Sequence, residues 1–338
     1  MAQGPQGMAP LLARNQAQAG AQSQSGSTDP LSMGAAYYML GTVASNNTAF
    51  LTVTGFGTPT QSTTETDFSS SFTSAASFWL NYNFGPVGIR GRFFFEAEHQ
   101  PAELVSVPSG SSSFVTASPD LLQLLPGTSF GAPGTLLTNG FGTDSLSFQR
   151  SLNIHVVDLE ATFQQKLGTM QLLLSAGGRY LDLSQALTAS LNNTVTAGVL
   201  SESQFLTNSR RFYGGGGTAA CEVQAPLLAI LSGYAVVRGS VVIGGQQENL
   251  NFAGSIVDTG GSVGGSQTLS NSATSAHTAV MPILECELGL QIGQSLGGFP
   301  ISIRAGVVSQ TYFNAGSASS QNGNLNLVGG VISLTLTY

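Results

Sequence analysis

Arg90 and Arg92, Glu96 and Glu98, Asp158 and Glu160, and Glu285 and Glu287 form four pairs of charged residues, each pair spaced by two. That spacing puts both members on one face of a β-strand. Arg179, Glu222, Arg238 and Arg304 stand singly in runs of the same alternating kind. Two kinds of chemistry suit such a set. Arginine and carboxylate groups spread around a water-filled path would set the selectivity of a constriction, whereas the same groups paired would form an ionic network filling a narrow interior. Catalysis is not expected. The three histidines, His99, His155 and His277, have no recognised spacing to a nucleophile or a metal. No lysine with serine or threonine follows the run Gly214 to Gly217, as a phosphate loop would need. Neither a zinc site nor a dinucleotide fingerprint is visible, so neither cofactor nor metal is expected.

The elements that must position these charges are strands whose other face is apolar. In 89–98, Ile89, Gly91, Phe93, Phe95 and Ala97 oppose Arg90, Arg92, Glu96 and Glu98. Val157, Leu159, Ala161 and Phe163 oppose Asp158, Glu160 and Thr162, and Met170, Leu172, Leu174, Ala176 and Tyr180 oppose Arg179. Val237, Val241 and Ile243 oppose Arg238; Leu284, Cys286, Leu288 and Leu290 oppose Glu285 and Glu287; Ile301, Ile303, Ala305 and Val307 oppose Arg304. A soluble sandwich turns its apolar face inward. With charge on the other face, the arrangement predicts a closed barrel whose apolar side meets lipid, where a base near the midplane would cost about 2–4 kcal/mol. Over Leu152 to Val156 the apolar phase switches, which predicts a bulge.

Alternating runs fall near 69–82, 88–98, 147–164, 170–187, 207–224, 230–247, 277–293, 300–313 and 325–338. Their connections alternate between short (84–87, 165–169, 225–229, 294–299) and long (99–146, 188–206, 248–275, 315–323), as in outer-membrane barrels with short periplasmic turns and long outer loops. Nine strands would leave the two chain ends on opposite sides, so a tenth is expected at Thr48 to Gly55, with eight to twelve compatible if Ala35 to Val43 or part of 99–146 adds strands. The expected fold is thus all-β, a transmembrane antiparallel up-and-down barrel of about ten strands over 46–338. Residues 1–45 are expected to form a polar periplasmic arm. Phe93, Phe95 and Phe313 at one end, and Tyr82, Phe163, Phe299 and Tyr338 at the other, predict aromatic girdles.

Composition agrees. Only 8% of the 338 residues are charged, against about 25% in soluble domains, although hydrophobic residues reach just 41%. Mean hydropathy is +0.17, and no run approaches the roughly 20 apolar residues of a membrane helix. Net charge is −7, which argues against a nucleic-acid partner. Cys221 and Cys286 fall on lipid-facing phases with one strand between theirs, so both are expected to be free thiols. The stretch 1–30 has neither the basic start nor the apolar core of an export signal; a mature chain, or a leader lying upstream, is expected. A soluble β-solenoid would show a fixed repeat, and none is evident.

Several segments bear a resemblance. They are Val157-Asp158-Leu159-Glu160-Ala161-Thr162; Ala176-Gly177-Gly178-Arg179-Tyr180 with Leu183 and Gln185; and Phe212-Tyr213-Gly214-Gly215-Gly216-Gly217. Val237-Arg238-Gly239-Ser240 with Gly244, Leu284-Glu285-Cys286-Glu287-Leu288-Gly289, and Ile303-Arg304-Ala305-Gly306-Val307 with Gln310 complete the set. In this order, over roughly 75–338, they resemble the pore-forming outer-membrane proteins related to the Legionella major outer membrane protein, in its planctomycete-type members. The resemblance implies a barrel that passes small hydrophilic solutes and brings no catalytic residues. The cysteines do not suit disulfide-crosslinked oligomers, while a homo-oligomer without crosslinks is compatible. The expected partners are outer-membrane lipid, small solutes and the barrel assembly machinery, the last through the strand ending at Tyr338. The alternative expectation is a non-conducting structural or adhesive barrel that presents its long loops.

Overall fold

A computed structural model describes residues 31–44, 48–54, 62–68, 72–107, 114–116, 143–194, 200–228, 230–258, 266–296, 299–317 and 323–338. All its regular elements are strands: β1 (Leu31–Ala44), β2 (Thr48–Thr54), β3 (Ser62–Asp67), β4 (Phe72–Phe84), β5 (Val87–His99), β6 (Glu103–Val107), β7 (Phe114–Thr116) and β8 (Thr143–Leu167). β9 (Met170–Thr194), β10 (Leu200–Pro226), β11 (Leu231–Asp258), β12 (Gln267–Leu296), β13 (Phe299–Tyr312) and β14 (Leu325–Thr337) follow.

Ten of them, β1, β4, β5 and β8 through β14, close an antiparallel ring in which every strand pairs with its neighbours in that order and β14 returns to β1. Closure removes both sheet edges, the condition for placing strands in lipid. At the seam, the Tyr338 N–H donates to the Leu31 carbonyl at 2.8 Å. The fold and the strand number agree with the sequence, but the first strand is corrected. β1 lies in the wall between β4 and β14, so residues 31–44 belong to the barrel rather than to an arm. Thr48–Thr54 instead pairs with β3 and β7 in a separate three-stranded sheet. β1 escapes a search for alternation because Tyr38 and Leu40 point into the interior as apolar residues, which erases the contrast with outward Tyr37 and Met39. The expected arm's residues 1–30 lie outside the described residues.

Short turns are as expected, with Gly85 and Gly168 at positive φ where only glycine is unstrained. At the opposite end, two expected loops are largely strand. β9 and β10 leave only 195–199 between them, and β11 and β12 only 259–266. Beyond the lipid the outward face has no need to be apolar, so alternation fades while the hydrogen-bonded ladder continues. β6 prolongs the β5 side of this extension by pairing with β8.

The outward phases hold. Leu159 is 64% exposed and Leu288 is 62% exposed, as lipid-facing residues must be when lipid is absent. On β9 this apolar face ends at Tyr180; two residues on, Asp182 pairs with Arg211 at 2.6 Å on the outer surface. From Met170 to Tyr180 is 11 residues, matching the 9–11 that a tilted strand needs to cross a bilayer. Tyr82, Phe163, Phe299 and Tyr338 lie exposed at the turn end, with Phe299 and Tyr338 rings 5.4 Å apart. Cys221 and Cys286 are free, on strands separated by β11, where both lie opposite Val237.

The interior glycines bring neighbouring backbones close. A Cβ on Gly216 would strike the Val241 carbonyl, and one on Gly177 the Leu159 carbonyl. Gly217 and Gly178, on the lipid side, have open space. The run Gly214 to Gly217 therefore lets the wall coil tightly.

Candidate functional site: the barrel lumen

Register alone assembles half of the charge set. Arg90 lies opposite Glu160 and Arg92 opposite Asp158 across β5 and β8; Asp158 lies opposite Arg179 across β8 and β9; Arg238 lies opposite Glu285 across β11 and β12. Arg90 Nη2 reaches Glu160 at 2.7 Å, Arg92 Nε reaches Asp158 at 2.9 Å, and Arg179 Nε reaches Asp158 at 2.7 Å.

Ring closure assembles the other half. Arg92 on β5 bonds Glu285 on β12 at 3.0 Å, and these strands are five steps apart in a ring of ten whichever way it is counted. This ion pair spans the lumen. Arg179 joins the same carboxylate at 2.5 Å, and Arg238 reaches across to Glu160. Four arginines and three carboxylates thus meet in one cross-section. Asp158, Glu160, Arg179 and Arg238 are each no more than 4% exposed. Burying such charges is tolerable because each has an opposite partner and hydrogen bonds; an unpaired one would cost several kcal/mol.

The remaining candidates divide into two groups. Arg304 holds Glu222 at 2.6 Å, apart from the carboxylates of the central cluster, and lies over the Tyr234 ring at 4.9 Å. The Tyr234 hydroxyl donates to Glu287 at 2.7 Å. Glu96 and Glu98 lie apart from the rest, towards the loop end. Glu96 accepts from Thr73 at 3.0 Å, and Glu98 from Thr42 at 2.7 Å and Gln100 at 3.0 Å. Glu98 also pairs with Arg150 at 3.1 Å. Arg150 was legible only if β8 was taken as unbroken. The bulge expected at Leu152 to Val156 does not exist, since β8 keeps one continuous register with β9. Leu152, Ile154 and Val156 remain on the inward phase of Asp158 and Glu160, and the phase switch in the sequence marks a change in the interior instead.

That change is a second layer. Between the central ion pairs and Glu98 lies an apolar core to which all ten barrel strands contribute, including Leu40, Phe94, Ile154, Leu181, Phe212, Val242, Ile283, Tyr312 and Leu327. Leu40, Ile154, Leu181, Val242 and Leu327 are 0% exposed. Farther out, Phe68, Leu146, Phe148, Leu187, Leu191, Leu206, Leu250 and Phe252 pack a second apolar cluster inside the strand extension. A barrel of this size is just wide enough for side chains to fill it.

On the turn side of the ion pairs the lumen is open as a vestibule of about 790 Å³, floored by Arg90, Arg92, Arg238 and Arg304 and rimmed by Asn83, Gln164, Gln165, Lys166, Gln171 and Gln224. Nothing among the described residues groups three or more metal-ligating side chains.

Solved outer-membrane barrels are similar in outline only. The Escherichia coli outer membrane protease OmpT is 8% identical, with 92% of this chain and 97% of that one covered at a TM-score of 0.39. A Pseudomonas aeruginosa FadL homologue is 9% identical, with coverages of 92% and 90% and a TM-score of 0.25. The translocator domain of the autotransporter NalP from Neisseria meningitidis is 9% identical, with coverages of 97% and 95% and a TM-score of 0.23. Scores this low bear no argument about function. No curated protein matches the chain. The model of the Legionella pneumophila major outer membrane protein precursor, however, matches residues 128–330, more than half of the chain and seven of its ten wall strands in whole or part. With the closed ring and its lipid-facing band already in place, the chain belongs to the family of the Legionella major outer membrane protein and is a β-barrel of the bacterial outer membrane.

Proposed function

We propose that the protein is a sealed outer-membrane barrel, a non-enzymatic scaffold that presents its strand extension and outer loops at the cell surface. One observation carries this reading: the lumen is crossed by ion pairs spanning its full width and, above them, by an apolar layer drawn from every strand of the wall. Water and ions need a continuous polar path, and the full burial of Leu40, Ile154, Leu181, Val242 and Leu327 supports its interruption at this level. The lipid around the band and the barrel assembly machinery, engaging the strand that ends at Tyr338, are the partners proposed.

Passive diffusion of small hydrophilic solutes is the second reading. The vestibule favours it, since it brings water from the turn end to Arg90, Arg92 and Arg238. Conduction would then require the apolar layer to part. Single-channel recording of the refolded protein in a planar bilayer separates the two. The sealed reading expects folded, inserted protein that stays silent. Discrete ohmic steps whose ion selectivity shifts in Arg179→Ala or Glu285→Ala would establish the pore instead.

A further inference from the structure

We infer that the vestibule at the turn end binds a small organic monoanion, its carboxylate turned to the floor arginines and its apolar body to Trp79. Five cations line the cavity, Arg90, Arg92, Lys166, Arg238 and Arg304, against two carboxylates, Glu222 and Glu287. The acids that answer Arg90 and Arg92, namely Asp158, Glu160 and Glu285, pair with them from behind the lining. Counted together with Arg179, which joins Asp158 and Glu285, the network among the described residues holds six cations and five carboxylates. One positive charge is left over, and low-dielectric walls concentrate its field in the cavity.

The arginines also keep donors for a ligand. Among the described residues, Arg90 and Arg92 reach their carboxylates through Nε and Nη2, while Arg304 reaches Gln291 through Nε and Glu222 through Nη2. The Nη1 of each, with its two N–H donors, stands outside these pairs. The three side chains are 14%, 16% and 22% exposed, and they line the cavity. Arg90 feels both Arg92 and Arg304 as like charges, so the guanidinium groups converge from β5 and β13. A carboxylate set among them gains charge-assisted hydrogen bonds and eases that repulsion without displacing a pair.

A surface for the rest of the ligand lies beside them. Trp79, the chain's single tryptophan, lines the cavity directly opposite Arg92 across β4 and β5. Its indole is seated on Gly34 of β1, where a Cβ would fall on the ring, so backbone holds it in place. Ala36 and Tyr38 continue this wall along β1. An inorganic anion would leave the wall wet, and an uncharged apolar molecule would cover guanidinium donors without accepting from them. The volume, about 790 Å³, falls in the roughly 300–1,000 Å³ range of small-molecule sites. The site lies on the turn side of the ion pairs, so it stands whether the apolar layer beyond them is closed or parts.

Trp79 also reports on the site. The folded protein, in micelles of an uncharged detergent, is titrated with benzoate and with benzamide, its uncharged counterpart, while tryptophan emission is followed. Saturable benzoate binding is expected, weakened by salt and about tenfold tighter than that of benzamide, the worth of one hydrogen bond to a charged group. Arg304→Gln should weaken benzoate binding by a similar factor. Glu222→Gln, which removes an acid from the lining and releases Arg304, should tighten it, a change that loss of structure would not produce; this variant suffices if Arg304→Gln does not fold. Both are checked for heat-modifiable gel mobility. Unmoved emission with benzoate, equal binding of benzoate and benzamide, or unchanged affinity in Glu222→Gln would overturn the site. Inorganic phosphate that displaced benzoate at concentrations below benzoate's own would overturn the choice of an organic acid.

Discussion

Glu285 is the residue on which the lumen network can be tested most directly. Its carboxylate receives Arg179 at 2.5 Å, Arg92 at 3.0 Å and Arg238 at 3.8 Å. Glu285→Ala removes the only acid that β12 contributes to this cluster, leaving four arginines facing Asp158 and Glu160. Breaking a buried pair by removing one partner costs about 3–5 kcal/mol. Here Arg92 and Arg179 keep Asp158, and Arg238 keeps Glu160, so the lower end, about 3 kcal/mol, is expected. Arg92→Met in the same background takes out one of the excess charges and should recover part of the loss. The assay is urea-dependent folding into lipid vesicles followed by gel mobility, with the four members of the Arg92 and Glu285 cycle run side by side. A loss below about 1 kcal/mol, the size of an exposed salt bridge, or the absence of coupling between the two positions, would show that the ion pair does not cross a dry lumen and would remove the main support for the sealed barrel.

Two further outcomes follow from the wall. Gly216→Ala should prevent or strongly slow barrel folding because its Cβ would meet the Val241 carbonyl, while Gly217→Ala one residue away, pointing into open space, should fold with unchanged yield; refolding yield by heat-modifiable mobility compares them. Removing residues 31–44 should leave β4 and β14 with unpaired edges and abolish the compact band on gels, whereas removing residues 48–54, which among the described residues pair with β3 and β7 and with no wall strand, should preserve it.

The lipid-facing phase was legible because it is a local property. Strand periodicity is two, hydrocarbon admits only apolar side chains, and the runs from Ile89 to Ala97, Val157 to Phe163 and Leu284 to Leu290 carry that rule without reference to any other part of the chain. Neighbouring pairs such as Asp158 with Arg179 were nearly legible, since the short turn at Gly168 fixes the register of β8 and β9. β1 was not, because Tyr38 and Leu40 face an apolar interior and its pattern then resembles a run buried on both sides. The same ambiguity made Leu152, Ile154 and Val156 read as a bulge, when the phase was unbroken and the surroundings had changed.

The sequence by itself thus determined that this chain is a barrel with charge inside and lipid outside, since both follow from alternation along single strands. Tertiary structure alone decided whether those charges face water or one another. That depends on the distance across a closed ring, which brings Arg92 to Glu285 over 193 positions of sequence and seats an apolar layer on top of them. Alternation specifies a face for each side chain, and only closure of the ring specifies what lies opposite it.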